Sequence, residues 1–241
     1  MQIDVADLRD FYAGPLGLAV RRLLSHRIRS RWRRLEGLTV IGLGFAPPFL
    51  GALRGEAVRI GALMPTSQGA LAWPCDAAKL SALVEEDHLP LPDNSVDRLL
   101  VVHCLEAAAR ERTLLREMWR VLAPEGRLLM IVPNRRGVWA RVDRTPFGHG
   151  RPYSRGQIAT LLAAALLLPT DWSGALYMPP IERSVVIRSA PAIERMGARA
   201  APAFAGLIMV EARKQIMAPM GHGAKARLRV APVLADGGRL G

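Results

Sequence analysis

Residues 89–134 read LPLPDNSVDRLLVVHCLEAAARERTLLREMWRVLAPEGRLLMIVPN, and this stretch decides the fold class. Asp93-Asn94-Ser95 is a turn, and Val96 to His103 behind it is an apolar run of strand length. Leu114, Leu115, Met118, Trp119 and Leu122 then recur at helical spacing, which predicts a helix over Glu106–Leu122 with one apolar face. Pro124-Glu125-Gly126 breaks that helix, and Arg127–Val132 is again apolar enough for a buried strand. Strand, helix and strand in this order make a βαβ unit, so the two strands belong side by side in a parallel sheet.

Upstream, Leu38-Thr39-Val40-Ile41 is a short strand running into Gly42-Leu43-Gly44, with Ala46 two residues on and a helix opening over Phe49–Leu53. A tight turn of small residues lets backbone N–H groups approach a bound cofactor. A dinucleotide fingerprint needs Gly or Ala at its sixth position; Pro47 stands there, which argues against a nicotinamide or flavin site. Val58–Met64 reads as a second strand and Ala82-Leu83-Val84 as a weak third. Downstream, Asn134–Tyr153 is a long loop rich in Gly, Pro, Arg and His, a length that points to function or disorder. A helix over Gly156–Leu168, strands over Trp172–Tyr177 and Gly206–Ala212, and a helix over Ala192–Ala200 complete the pattern.

The 89–134 block resembles class I S-adenosylmethionine-dependent methyltransferases, of the type 11-like kind that act on quinones, biotin precursors and other small molecules. That family runs LPF-PD-x-S-F-D, strand, LEH, helix with REhhRVL-PGG, strand, VPN. Here stand Leu89-Pro90-Leu91-Pro92-Asp93, Ser95-Val96-Asp97, Leu105-Glu106, Arg116-Glu117-Met118-Trp119-Arg120-Val121-Leu122, Pro124-Glu125-Gly126 and Val132-Pro133-Asn134. The likeness extends over residues 38–170. It implies a Rossmann-like α/β fold: a seven-stranded sheet with its last strand antiparallel, helices on both faces, and S-adenosyl-L-methionine across the carboxyl ends of the first strands.

By that resemblance Gly42, Leu43 and Gly44 face the methionine part of the cofactor, Met64 stands at the ribose, Glu85 binds the adenine amino group, Glu86 offers backbone groups to the same ring, and His103 borders the sulfonium. The chain departs from the family at Val40 and at Leu63 or Met64, where acids are usual, at Ala46 for the third glycine, and at Ala107 for the His of LEH. A lost charged hydrogen bond to a ribose costs about 1.5–3 kcal/mol. A catalytically degenerate protein of this fold, acting as a binding or regulatory module, is therefore the alternative to methyl transfer. For the acceptor, Tyr12, Asn134, His149, Arg151 and Tyr153 are the candidate ligands, with Tyr12, His149, Arg151 and Tyr153 expected in one pocket. His149 and His103 are the candidate catalytic residues. No NPPY-like tetrapeptide comes after the fourth strand, which disfavours methylation of adenine or glutamine amines.

The 241 residues are half apolar and carry a net charge of +12, nearly all of it arginine. Phe11, Tyr12, Leu16, Val20, Leu23 and Leu24 recur at helical spacing in Asp7–Leu35, interrupted at Gly14-Pro15, with seven arginines from Arg21 to Arg34 between and after them. Such a basic amphipathic helix is either a solvated lid over the core or a peripheral contact with anionic membrane. Nucleic acid is disfavoured, because Trp32 is the sole aromatic among those arginines and stacking platforms are scarce. Cys75 and Cys104 lie in no Cys/His cluster, so no metal is expected. The apolar run Ile158–Pro169 is too short to span a bilayer, and Met1–Asp10 lacks a signal peptide's order, which predicts a cytoplasmic protein. The expected organisation is a helical lid over 1–36, a methyltransferase-like domain over 37–217 and a disordered tail over 218–241.

Overall fold

A computed structural model describes residues 3–215; the expected tail, 218–241, lies outside the described residues. In chain order the elements are α1 (Val5–Ala13), α2 (Pro15–Arg31), β1 (Thr39–Gly44), α3 (Pro47–Leu50), β2 (Arg59–Pro65), β3 (Ser81–Val84), β4 (Val96–Val102), α4 (Glu111–Val121), β5 (Leu122–Pro133), α5 (Arg155–Ala164), β6 (Leu167–Ala175), α6 (Ser184–Ala200) and β7 (Leu207–Lys214). The seven strands form one sheet in the order β3-β2-β1-β4-β5-β7-β6. β1 pairs parallel with both β2 and β4, whereas β7 runs antiparallel to both β5 and β6. The order reverses between β1 and β4, and the crevice at such a reversal is where open α/β sheets take their ligands.

Both faces of the sheet are covered, so its central strands read as continuous apolar runs. Leu100 and Val102 of β4 join one core with α1, α2 and α3, while Leu99 and Val101 join the other with α4 and α5. Leu8, Tyr12, Val20 and Leu24 share the first core with Val40, so the two N-terminal helices pack directly onto the sheet domain.

Several boundaries differ from the sequence expectation. α4 starts at Glu111, not Glu106, because Cys104–Ala108 makes a turn with Ala107 N–H donating to Cys104 O. Pro124-Glu125-Gly126 does not separate helix from strand. It is a bulged part of β5, with Glu125 at φ 61° and a register shift against Val96 and Arg98. α5 ends at Ala164, and Leu167 and Leu168, expected as helix, open β6. An apolar run of that length suits either state, and pairing of Leu167 with Lys214 on β7 decides it. α6 begins at Ser184, earlier than Ala192.

Candidate active site

The β1 turn closes tightly on the end of β4. Phe45 N–H donates to Val102 O at 2.8 Å, and Gly44 has φ +79°. A Cβ on Gly44 would lie 2.3 Å from Val102 O, and one on Gly42 would lie 2.5 Å from Ala46 Cβ. Both glycines are thus required by close approach of backbone and α3. Leu43 is buried in the second core.

At the neighbouring strand ends lies an open cleft of about 380 Å³ lined by Thr66, Ser67, Glu85, Glu86, Asp87, Ala107, Ala109 and Arg110. Thr66 Oγ1 donates to Glu85 and Ser67 Oγ to Glu86, each at 3.0 Å, and Glu86 also accepts from Ala109 N–H. Met64, at the end of β2, is buried, and its sulfur accepts from Leu71 N–H at 3.2 Å.

His103 sits where β4 ends, at φ 50°, a conformation uncommon outside glycine. The buried Gln68 amide donates to its carbonyl at 2.9 Å. Its Nε2 is 2.9 Å from Tyr12 Oη, and its Nδ1 is 3.4 Å from Glu106 Oε1, an ion-pair distance short of a hydrogen bond. Tyr12, His103 and Glu106 are 5%, 2% and 5% exposed. Burial pushes the Tyr12 phenol well above its ordinary value, and Glu106 adds to that. Phe147 lies against the imidazole, with ring centroids 4.7 Å apart. Behind these groups is a cavity of about 10 Å³ lined by Gln68, His103, Glu106, Ala107, His149 and their neighbours. Both Glu106 carboxyl oxygens and Gln68 Oε1 are buried without a hydrogen-bond partner.

The structure divides the residues expected to share the acceptor pocket. His149 lines the small cavity beside His103, its Nε2 2.8 Å from Asp143 O. Ala107 lines it too, so an imidazole reaches this place from the loop instead of from the LEH position. Arg151 and Tyr153 turn away: Arg151 pairs with Glu111 at 2.9 Å, and Tyr153 Oη donates to Leu105 O and to Glu111. Burial, then Glu111, holds the Tyr153 phenol far above its usual range. They line a surface groove of about 720 Å³ with Arg135 and Gln157, against α4 and α5, and Tyr12 does not join them. The one-pocket expectation is corrected accordingly. The reason is Glu111, a polar anchor opening α4 that outcompetes the cleft for both side chains. Asn134 is occupied as well, donating to Ala203 O and Ala205 O and accepting from Arg136 N–H.

Glu106, Gln68, Phe45 and Phe147 join the candidate site without having been expected there from the sequence. Glu106 was visible within the Leu105-Glu106 motif; the other three carry no local signal, because their position depends on which loops meet at the strand ends. The basic helix is partly structural. Arg27 pairs with Glu194, Arg29 with Glu56 and Arg31 with Asp171, while Trp32 is buried.

A family model described as a methyltransferase domain matches residues 32–130. That stretch holds β1 to β4 and most of β5, and its similarity to a methyltransferase domain agrees with the class I S-adenosylmethionine-dependent methyltransferase fold. Among curated proteins, demethylmenaquinone methyltransferase of Thermus thermophilus is 30% identical over 138 residues, which is 56% of each chain. The match thus spans little more than half the length of that relative. A chain in the complex of the Haloferax volcanii Trm112 methyltransferase activator with a methyltransferase superposes with a TM-score of 0.64 at 19% identity, covering 88% of this chain and 98% of that one. The [4+2]-cyclase SpnF gives 0.57 at 23%, covering 82% and 81%. Burkholderia thailandensis 1,6-didemethyltoxoflavin-N1-methyltransferase, solved with S-adenosylhomocysteine, gives 0.53 at 18%, covering 88% and 84%. These structural likenesses establish the fold; that one of them is a cyclase illustrates how chemistry resides in the site.

The methyltransferase family's cofactor is S-adenosylmethionine, and the groups at the strand ends fit its chemistry. The 380 Å³ cleft with Glu85 and Glu86 offers acceptors for an adenine amino group. The unpartnered oxygens of Gln68 and Glu106 suit the cationic amino-acid end. Room is a different matter: about 10 Å³ holds roughly one water. Tyr12 and Phe147 fill the remaining space against His103, so α1 and the 134–153 loop must yield before that end can enter.

Proposed function

We propose that this protein transfers a methyl group from S-adenosylmethionine to a small-molecule acceptor. The observation that carries the reading is the reversal of strand order between β1 and β4, with the Gly42–Gly44 turn at that point and the acidic 380 Å³ cleft at the neighbouring strand ends. When bound, the cofactor supplies an already activated methyl group, so the protein's task is alignment. Glu85 and Glu86 would hold the adenosine end. Gly42, Leu43 and Gly44 would border the methionine part. Tyr12, His103, Phe147 and His149 would surround the reacting end and keep water out. Thr66 and Ser67 offer hydroxyls near the ribose place, where Met64 gives no acid.

Calorimetry with S-adenosylhomocysteine tests the reading. Without the ribose acid, dissociation constants of about tens of micromolar or weaker are expected. No heat at millimolar ligand would exclude it. A second reading, a degenerate module that has kept the fold without the cofactor, draws support from the closed reacting end. It predicts that null result together with an unperturbed fold. Peripheral contact with anionic membrane is proposed for the exposed arginines Arg21, Arg22, Arg33 and Arg34. Among the described residues, no helix is long and apolar enough to cross a membrane.

A further inference from the structure

We propose that the outward face of α6 docks on an anionic phospholipid bilayer, a contact separate from the arginines of α2. Val185, Ala192 and Met196 are spaced by seven and four positions, and Arg188, Arg195 and Arg199 repeat that spacing three positions further on. On a helix such spacings return to one side, so an apolar row and a basic row run next to each other along the face. All six residues are exposed, Val185 at 66% and Met196 at 71%. Ile181 just before the helix and Phe204 just after it are exposed as well. Among the described residues, no ion pair includes Arg183, Arg188, Arg195 or Arg199. The single acid of the helix, Glu194, is buried on the opposite side with Ala190, where it accepts from Leu176 and Met178 N–H and pairs with Arg27. The outward face is therefore presented by an anchored helix and needs no folding on contact.

The two rows together select the occupant. Apolar side chains beside guanidinium groups match the boundary where acyl chains meet phosphates, with the arginine stems along the apolar layer and their heads on the phosphates. A second copy of this face would set arginine against arginine, with no acid on the face to pair them. A nucleic acid would satisfy the arginines and leave Val185 and Met196 without a partner. The face also adjoins the parts that must yield before the reacting end opens. A Cβ on Gly14, at the joint of α1 and α2, would lie 3.8 Å from Oε1 of Glu182, just ahead of α6. Met178 O, in the same segment, accepts from Trp139 of the 134–153 loop at 2.7 Å. Docking through α6 thus holds the α1–α2 joint next to the bilayer.

The test uses the full chain with vesicles of phosphatidylcholine, with and without phosphatidylglycerol. Cys75, the exposed cysteine, is replaced by Ser, and a polarity-sensitive fluorophore is placed through Met196→Cys or, as a control, through Leu83→Cys on β3 at the far edge of the sheet. Vesicles with phosphatidylglycerol are expected to shift the emission of the Met196 label to the blue, to leave the Leu83 label unchanged, and to do less as salt rises. No shift at Met196, an equal shift at Leu83, or an equal shift on phosphatidylcholine alone overturns the proposal. In unlabelled protein, Arg188→Gln, Arg195→Gln and Arg199→Gln should each weaken vesicle binding roughly fivefold. Val185→Ser with Met196→Ser should weaken it about tenfold while keeping the salt dependence. These positions are exposed, so the urea midpoint should stay in place. Vesicle binding that falls only with Arg33→Glu and Arg34→Glu puts the contact on α2 and overturns the proposal for α6. So does self-association that Met196→Ser abolishes in a protein that ignores vesicles.

Discussion

Single side chains here hold distant pieces of chain in register, and Glu194 is the strongest example. It is 4% exposed, accepts N–H bonds from Leu176, Tyr177 and Met178, and pairs with Arg27 at 3.0 Å. One carboxylate thus ties α6, α2 and the chain leaving β6. Removing it strands three backbone donors and a guanidinium, so Glu194→Ala should cost about 3–5 kcal/mol, read from the urea midpoint. Glu194→Gln keeps the shape and should cost less. Gly44 is constrained by geometry instead of charge. Its φ of +79° and the 2.3 Å approach to Val102 O leave no room for a methyl group on rigid backbone. Gly44→Ala should destabilise by about 1–3 kcal/mol or more, and weaken S-adenosylhomocysteine binding beyond what the lost stability explains. A melt and a calorimetric titration on one preparation check both.

At the scale of elements, α1 and α2 differ in how firmly they are held. α2 is fastened by Arg27–Glu194, Arg29–Glu56 and Arg31–Asp171, the last with a second bond to Ser173. α1 has Asp4 capping its start, Gly14 at its end, and Tyr12 as its buried polar tie to His103. The joint between them, Gly14-Pro15, is the natural hinge. If the cofactor's amino-acid end enters by displacing Tyr12, S-adenosylhomocysteine should speed amide exchange in Val5–Ala13 and leave α2 unchanged. Unchanged or slower exchange in α1 would place the opening in the 134–153 loop instead. The same division bears on membrane contact. Arg33→Glu with Arg34→Glu should lower binding to phosphatidylglycerol vesicles without moving the urea midpoint, whereas Arg27→Glu should move the midpoint.

Over the whole molecule, pH should act mainly from the alkaline side. Tyr12, Tyr153 and Cys104 all have folded values raised by burial, so folding favours their neutral forms. Their contribution is complete below the unfolded values, about 8.5 for Cys and 10 for Tyr, and is lost progressively as pH rises beyond them. The urea midpoint should therefore decline above about pH 8.5, and Cys104→Ala should remove the earliest part of that decline. On the acid side Glu117, lowered chiefly by its hydrogen bond with Arg120, should lose its contribution as pH falls below about 4.3.

Local pattern accounts for everything the sequence determined by itself. The apolar period of Leu114, Leu115, Met118, Trp119 and Leu122, the Gly42–Gly44 turn and the ordered motifs from Leu89 to Asn134 specified a parallel α/β sheet and the edge of it that carries the candidate site. Periodicity and turn chemistry act within a few residues, so they are readable without a fold. The helix or strand state of Leu167 and Leu168 was not readable, because pairing with β7 decides it. Nor was the fate of Arg151 and Tyr153, which a single acid on α4 draws away from the cleft. The contact of Tyr12 with His103 spans 91 positions of chain. Only the packing of α1 across the ends of β1 and β4 brings that phenol, that imidazole and Glu106 together. Contacts at such separation depend on how whole elements stack, and no local pattern encodes them.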